Sequence, residues 1–293
     1  MLEQIYMHQK QYSLQLRKES YETRLGHLKS LQKLVEENQE AICKALADDF
    51  QKPKFETLIT EIYPLIHEIK FAKKELKKWM KPQKVGTPLL MMGTRSEIHY
   101  EPKGVCFIIS PWNYPVYLTL APLISVVASG NCAVIKPSEF SRHSSALMAH
   151  LFQKYFRPEH IHFVQGGPET TIDLLQFPFD HIFYTGSTHT AKIIYQLAAK
   201  DLIPVTLELG GKSPCIVEPD ANIKVAARRI SLGKFANAGQ TCIACSICCY
   251  PGYRCTAYRI QCSKWLPVTS YTMNRSSRTI ITYRRSFGKV RSA

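Results

Sequence analysis

The chain has 293 residues, of which 45% are hydrophobic and 21% charged, a composition typical of a globular protein with one or two domains. Its formal net charge is +15, and it contains ten cysteines. This length excludes a small disulfide-stabilised domain. The cysteines show no spacing typical of a disulfide framework, which fits a reducing compartment. Because the first residues lack the apolar core of a secretory signal, we expect a soluble cytoplasmic protein.

The N-terminal part is predicted to be helical. Apolar residues between positions 21 and 50 recur at the helical period, and residues 56–80 continue as an amphipathic, Lys-rich helix. Glycine and proline at residues 86–88 break this pattern. Residues 96–102 then alternate between polar and apolar side chains. We therefore expect N-terminal helices followed by an extended arm over about residues 86–103.

Short apolar runs separated by helix-like stretches follow the arm. The runs cover residues 105–109, 132–135, 161–165, 181–184, 205–209 and 214–217. Short buried strands that alternate with crossover helices are typical of a parallel β-sheet. The predicted fold class is therefore α/β, with a Rossmann-type parallel sheet that follows N-terminal helices.

A membrane-spanning interpretation of part of this region is also open to test. Residues 105–135 contain no charged side chain, which can indicate a membrane span. Proline, glycine and asparagine residues interrupt the stretch: Pro111, Asn113, Pro115, Pro122, Gly130 and Asn131. None of the resulting segments approaches the ~20 apolar residues of a transmembrane helix. We expect no membrane attachment.

Several short motifs carry the functional signal. Two of them are Leu207-Glu208-Leu209-Gly210-Gly211-Lys212 and Gly239-Gln240-Thr241-Cys242, in which Glu208 and Cys242 are 34 positions apart. Three more lie upstream: Trp112-Asn113-Tyr114-Pro115, Lys136-Pro137-Ser138-Glu139 and Phe183-Tyr184-Thr185-Gly186-Ser187. In this order, the motifs resemble the signatures of the aldehyde dehydrogenase superfamily, and they look closest to its class 3 branch.

The resemblance implies oxidation of an aldehyde to a carboxylic acid with NAD(P). An aldehyde loses hydride readily only after a nucleophile has made its carbon tetrahedral, and the resemblance gives this role to the Cys242 thiolate. The Asn113 amide and the backbone N–H of Cys242 would stabilise the oxyanion. Glu208 would then activate the water that hydrolyses the thioester, which calls for a carboxylate in a partly dry pocket.

Each catalytic candidate also has an ordinary structural interpretation. Taken alone, Cys242 would be a small buried apolar residue, Glu208 a solvated charge and Asn113 a turn residue. Their joint order along the chain with the other motifs favours the catalytic interpretation.

The resemblance also implies a cofactor site for NAD or NADP. No G-x-G-x-x-G follows a predicted strand, so the ordinary dinucleotide fingerprint is absent. The resemblance instead assigns the adenosine ribose to Lys136 and Glu139, and the pyrophosphate to a helix N-terminus opened by Gly186 and Ser187. Where the family usually has a second glycine, this chain has Ala191, which either crowds the phosphates or lies harmlessly in the first helical turn. Further cofactor-binding residues implied by the resemblance are Pro111, Trp112 and Leu209.

The resemblance covers about residues 15–244 and divides the chain. Residues 1–208 would form the NAD(P)-binding domain, residues 209–244 would begin the catalytic domain, and residues 245–293 would be a disordered tail. The tail has nine basic residues, no Asp or Glu, and five of the ten cysteines. A Glu-x-Phe-Gly-Pro segment, which the family uses to hold the nicotinamide, does not occur. We therefore expect a truncated catalytic domain with impaired turnover, and a tail produced by a frameshift.

Two alternatives take the chain as it stands. Cys242, Cys245, Cys248 and Cys249 have a spacing that can bind zinc or an iron–sulfur cluster, and the basic tail can be a nucleic-acid-binding extension. No clean second C-x2-C pair follows, and the basic residues form no helical stripe, so we expect neither metal nor nucleic acid. The other alternative is an inactive relic. The partners implied by the resemblance are an aldehyde substrate and a second subunit, although truncation would weaken the homodimer.

Overall fold

The structure is a computed structural model that describes residues 2–245, together with the backbone of residues 247–249 and 256–257. The described residues form two compact units: those up to residue 49 together with residues 53–209, and residues 50–52 together with the described residues from 210 onward. The predicted domain boundaries stay predictions, and most of the predicted tail lies outside the described residues.

Helices form the N-terminal part of the first unit, as predicted. They are α1 (Leu2–Leu16), α2 (Tyr21–Glu37), α3 (Gln39–Phe50), α4 (Lys54–Thr57), a π-helical turn at Leu58–Ile62, and α5 (Tyr63–Trp79). α2 begins where the Ser20 side chain accepts a hydrogen bond from the Thr23 N–H at 3.2 Å. It ends at Asn38, whose side chain donates to the Leu34 carbonyl at 2.7 Å, so the predicted helix over residues 21–50 is two helices.

The predicted arm is a two-stranded hairpin that begins slightly earlier than expected. β1 (Gln83–Val85) pairs antiparallel with β2 (Ser96–Ile98). A 3-10 turn at Leu89–Met91 lies between the strands, and its apolar side chains are exposed.

A five-stranded parallel sheet forms the centre of the first unit, and this confirms the predicted fold class. Its strands are β3 (Val105–Ile109), β4 (Cys132–Lys136), β5 (Ile161–Phe163), β6 (His181–Gly186) and β7 (Val205–Leu209). The connecting helices are α6 (Tyr117–Ala128), α7 (Arg142–Tyr155), α8 (Pro168–Leu174) and α9 (Thr188–Lys200). The strand order is β5-β4-β3-β6-β7, so the direction of winding reverses between β3 and β6. In open α/β sheets, ligands bind at the carboxyl ends of the strands beside such a reversal.

The core of the first unit lies on both faces of this sheet. Every residue of β3 and β4 is buried, because helices cover both faces. One cluster packs Tyr6 and Leu16 of α1 and Ile194 of α9 against the sheet. The fully buried Gln9 fastens α1 to β4, since its side-chain amide donates to the Ala133 carbonyl at 2.9 Å.

One predicted strand belongs to a different sheet. The run at residues 214–217 forms β8 (Pro214–Ile216), which pairs parallel with β9 (Ile247–Cys249), and β9 pairs antiparallel with β10 (Thr256–Ala257). Assigning this run to the central sheet was wrong, because a short apolar run carries no information about which strand it will pair with. The second unit also contains α10 (Ile223–Phe235), which begins where the Asn222 side chain accepts from the Val225 N–H at 3.2 Å.

The uncharged stretch at residues 105–135 forms β3, α6 and part of β4. α6 has only 12 residues and contains Pro122. Across the part of the chain that the structure describes, no helix combines the length and the apolar character of a membrane span.

Candidate active site

The parallel sheet brings most of the predicted site residues to one edge. Ile109 at the end of β3 lies beside Lys136 of β4 on one side and Tyr184 of β6 on the other. On β7, Glu208 lies opposite Thr185 and Leu209 lies opposite Gly186. The residues that this register gathers at the carboxyl ends of four strands are Pro111, Trp112, Asn113, Lys136, Gly186, Glu208 and Leu209.

The loop after β3 carries Pro111, Trp112 and Asn113, all half-buried. It is fastened at its start by the Ser110 N–H, which donates to the Lys136 carbonyl at 3.2 Å. The Thr119 hydroxyl of α6 lies 2.7 Å from the Ser110 hydroxyl and donates to the Pro115 carbonyl at 2.5 Å. One buried side chain therefore bridges both ends of the loop.

Lys136 and Glu139 form an ion pair at the end of β4. The Lys136 side chain is only 4% exposed, and its Nζ lies 2.9 Å from Oε2 of Glu139. Burial raises the pKa of Glu139, but the hydrogen bond and charge of Lys136 outweigh this effect, so the net pKa is below its usual range. The pair offers a fixed donor beside a fixed acceptor, an arrangement suited to the two hydroxyls of a ribose.

Gly186 and Ser187 connect β6 to α9. Ser187 is the N-cap residue, and its side chain accepts from the Thr190 N–H at 3.2 Å. The first intrahelical hydrogen bond runs from the Ala191 N–H to the Ser187 carbonyl, so the N–H groups of Thr188 and His189 lie in the first turn before it. This helix start favours an anion such as a pyrophosphate.

Gly186 has a steric reason to be glycine. A Cβ at this position would lie 2.2 Å from the Tyr184 hydroxyl oxygen. Tyr184 is buried, and its hydroxyl accepts from the Ser187 N–H at 2.9 Å, so it has little freedom to move aside. Sequence reasoning gave Tyr184 no role, although it lies within a quoted motif.

Of the two alternatives for Ala191, the structure favours the one in which the residue lies in the first turn of the helix. It lies in the first turn of α9, is buried, and belongs to the apolar cluster that packs against the sheet. Its methyl group therefore fills the core beneath the helix.

Glu208 lies near the end of β7, just before the Gly210-Gly211 turn, as predicted. Val205, Leu207 and Leu209 pack against the apolar cluster, so Glu208 points to the opposite face of the sheet. It is exposed. The partly dry surroundings that a general base needs are therefore not formed by the portion of the chain described.

Cys242 belongs to the second unit, where it is an exposed free thiol. A left-handed segment precedes it, with φ of 52° at Asn237, 55° at Ala238 and 78° at Gly239. Residues other than glycine rarely adopt such angles, and strained segments of this kind cluster at functional sites. Because Cys242 lies in the other unit, its position relative to Glu208 and Asn113 stays a prediction.

Among the described cysteines, Cys43, Cys106, Cys132 and Cys242 are free thiols. Among the residues whose side chains are described, no group of three or more His, Cys, Asp or Glu can hold a metal. Cys255, Cys262 and the side chains of Cys248 and Cys249, on which the metal-binding alternative depends, lie outside that set.

Comparison with known proteins identifies the family of the chain. A family model described as "Aldehyde dehydrogenase family" matches residues 3–251. The chain belongs to the aldehyde dehydrogenase family. The match is longer than the 15–244 stretch found from motifs, because it includes most of α1 and also β9, which carry no family motif.

Relatives in this family confirm the class 3 resemblance. The chain is 48% identical over 221 residues to "Aldehyde dehydrogenase family 3 comG" of Dictyostelium discoideum, covering 75% of this chain and 47% of the relative. It is 43% identical over 221 residues to "Aldehyde dehydrogenase, dimeric NADP-preferring" of Mus musculus, covering 75% of this chain and 49% of the relative. The chain thus spans about half the length of these curated relatives.

A solved structure confirms the aldehyde dehydrogenase fold. The chain superposes on Staphylococcus aureus AldH in a substrate-bound state with a TM-score of 0.83 and 42% sequence identity. The superposition covers 85% of this chain and 55% of that protein.

Proposed function

We propose that the carboxyl edge of the five-stranded sheet binds NAD or NADP. The observation that carries this proposal is the juxtaposition of the Lys136–Glu139 pair with the Gly186–Ser187 helix start, on strands that flank β3. The pair suits a ribose, and the helix start suits a pyrophosphate. The relative from Mus musculus is named as NADP-preferring.

The residues present fit this cofactor. Lys136 and Glu139 would hold the adenosine ribose, and Ser187 at the N-terminus of α9 would lie against the pyrophosphate. Leu209 and the loop residues Pro111 and Trp112 would continue the site along the same edge. When bound, the cofactor supplies the hydride acceptor.

We further propose that this site serves oxidation of an aldehyde to a carboxylic acid. The Cys242 thiolate would add to the aldehyde carbon, and the Asn113 amide would donate a hydrogen bond to the oxygen that becomes negatively charged. After hydride leaves, Glu208 would take a proton from the water that releases the acid from the thioester. The chain spans about half the length of these relatives. The reaction is therefore proposed for an enzyme of the relatives' full length.

A homodimer belongs to the same proposal. The Mus musculus relative is named dimeric. In this chain the β1–β2 hairpin presents Leu89, Leu90 and Met92 at high exposure, an apolar tip that suits a second subunit. Analytical ultracentrifugation that compares the molecular mass of the parent chain with that of Leu90→Glu tests this. The same mass distribution in both would contradict a role of the hairpin in association.

The cofactor proposal is tested with fragments of the cofactor. We expect ADP-ribose to bind the chain in a calorimetric titration, and Lys136→Ala to weaken that binding by about tenfold, as loss of one charged hydrogen bond would. Lys200→Ala is the matched control, because Lys200 is an exposed residue at the other end of α9. Equal effects of the two substitutions, or no binding at millimolar ADP-ribose, would contradict the proposed site.

A further inference from the structure

A buried carboxylate from the N-terminal helices contacts the start of α6. Glu61 lies in the π-helical turn and is completely buried. Its Oε2 accepts hydrogen bonds from the Val116 N–H at 2.9 Å and from the Tyr117 N–H at 3.2 Å. These are the N-cap residue and the first residue of α6. Glu61 therefore satisfies backbone donors at a helix end, where a negative charge is favourable.

The position of this contact links Glu61 to the loop that carries Asn113. The loop leaves β3 at Ile109 and enters α6 at Val116. The Ser110 N–H fastens its first residue to β4, and Glu61 fastens its last. Asn113 thus lies between two fixed ends, and Glu61 supplies one of them from a distant part of the sequence.

A second carboxylate makes the same kind of contact at α7. The Asp49 side chain is 3% exposed and lies near the end of α3. Its two oxygens accept from the His143 N–H at 2.9 Å and the Ser144 N–H at 2.8 Å, and Oδ2 also accepts from the Ser144 hydroxyl at 2.6 Å. α7 begins at Arg142, just after the loop that carries Glu139.

We propose that Glu61 and Asp49 are positioning residues at the carboxyl edge of the five-stranded sheet, which we call the cofactor edge. Each holds one loop of this edge in place through the helix that follows the loop. Glu61 positions the loop that carries Asn113, and Asp49 positions the loop that leaves β4 at Lys136 and carries Glu139. This inference rests on the proposed function, which gives those two loops their roles. The residues themselves touch neither cofactor nor substrate in the proposed arrangement.

The two contacts are separable, which makes the inference testable. Each loop leaves its own strand and is followed by its own helix, and the two carboxylates come from different N-terminal elements. A general loss of stability would loosen both loops together. Loss of one positioning contact is expected to loosen only the loop that it holds.

Amide hydrogen exchange on the full chain is the primary test. We expect Glu61→Ala to accelerate exchange in residues 110–117 by about tenfold, as loss of a helix cap would, while residues 137–144 exchange as in the parent. Asp49→Ala should give the reverse pattern. Glu61→Gln and Asp49→Asn retain an acceptor oxygen but lose the negative charge, so each should accelerate exchange in the same segment as its alanine variant by a smaller factor, and they replace the alanine variants if those fail to fold. Acceleration of both segments by either variant, or of neither, would overturn the inference.

A binding measurement then separates this inference from the proposed function. Asp49→Ala should weaken ADP-ribose binding several-fold, whereas Glu61→Ala should weaken it clearly less, because Lys136 and Glu139 contact the adenosine ribose in the proposed site while the loop that Glu61 holds contributes only Pro111 and Trp112. If the parent chain itself does not bind ADP-ribose, the proposed cofactor site is wrong, and hydrogen exchange alone decides the positioning roles. If the parent binds and the two variants weaken binding equally, the inference is wrong while the proposed site stands.

Discussion

The cofactor edge of the first unit and the segment that carries Cys242 in the second unit differ in how completely their surroundings are formed. At the cofactor edge, Lys136 is buried in an ion pair, Tyr184 packs against Gly186, and every residue of β3 and β4 is buried. In the second unit, α10 has no buried residue, and Leu232 is 75% exposed.

The proposed binding residues and the proposed catalytic residues thus differ in what they require of their surroundings. A ribose or phosphate site needs a few donors and acceptors at strand ends, and a sheet with its covering helices supplies them. A general base and a nucleophile also need walls that exclude water. Glu208 and Cys242 are both exposed, so the described residues build the first kind of site more fully than the second.

The largest effect expected from this contrast is in cysteine reactivity. Burial, with a smaller contribution from Asp180, raises the pKa of Cys106 to about 12. A pKa of that size lowers the reactive thiolate fraction at neutral pH by roughly 1,000-fold relative to an ordinary thiol. A maleimide should therefore label the exposed Cys242 at least ~1,000 times faster than Cys106, read by peptide mass spectrometry.

The pH dependence sharpens the same measurement. Because the pKa of Cys106 is raised, that thiol stays protonated and unlabelled between about pH 7 and 9 while the protein is folded. Cys242→Ala identifies the fast site, since labelling should then fall to the level of the remaining cysteines. Rapid labelling of Cys106 in folded protein would show that β3 is not buried in solution, and the contrast would fail.

The next largest effect is expected at Gly186. A Cβ there meets the Tyr184 hydroxyl oxygen at 2.2 Å, so Gly186→Ala must displace Tyr184 or the start of α9. Overpacking of this kind costs about 1–3 kcal/mol, and a cost of that size at the proposed cofactor site corresponds to a roughly 5- to 150-fold loss of cofactor affinity. Gly26→Ala is the control, because a Cβ at Gly26 meets nothing within 4 Å in α2. Unchanged affinity for NAD in Gly186→Ala would place the cofactor elsewhere.

The strand ends were well predicted because the signals are local. The apolar runs located β3, β4, β5, β6 and β7, and the parallel arrangement follows from the helices between them. Lys136, Gly186 and Glu208 each come at or near the end of such a run, so the amino-acid sequence alone is enough to assign them to strand ends. The helix start at Ser187 was also predictable, since serine is a common N-cap residue.

The features that sequence reasoning missed depend on contacts between distant residues. Glu61 and Asp49 look like ordinary helical acids until α6 and α7 pack against them. α1 gave no strong periodic signal because the polar residues Gln9 and Ser13 occupy buried positions. β8 was assigned to the wrong sheet because its partner, β9, follows more than thirty residues later in the chain.

A smaller effect is expected from Glu139, and it concerns the choice between NAD and NADP. A carboxylate beside the adenosine ribose repels the 2′-phosphate of NADP, so Glu139→Gln should raise the affinity for NADP relative to NAD by about tenfold. The pKa of Glu139 is lowered, chiefly because Lys136 outweighs the opposing effect of burial. Because this pKa lies below its usual value, the parent carboxylate is ionised from about pH 5 to 8, and the parent's relative affinity for NAD and NADP should be constant over that range.

Lys136 must be kept intact in that comparison, because in the proposed site it binds the adenosine ribose of either cofactor. Glu169→Gln is a suitable control, since Glu169 is an acid in the first turn of α8, outside the Lys136–Glu139 pair. An NADP-to-NAD affinity ratio that is the same in the parent and in Glu139→Gln would show that the adenosine ribose does not lie against Glu139.

The smallest expected effect compares helix caps in the two units. Ser187 caps α9 at the cofactor edge, and Asn222 caps α10 in the second unit, each accepting a backbone N–H at 3.2 Å. Replacing such a cap with alanine costs about 1 kcal/mol of helix stability. Ser187→Ala should therefore weaken NAD binding about three- to fivefold, because it frays the helix start that faces the pyrophosphate in the proposed site. Asn222→Ala removes an equivalent hydrogen bond but should leave NAD affinity unchanged. If Asn222→Ala weakened NAD binding as much as Ser187→Ala, binding of the pyrophosphate would not depend on α9 alone. The cofactor edge would then not be the self-contained binding region that its buried residues indicate.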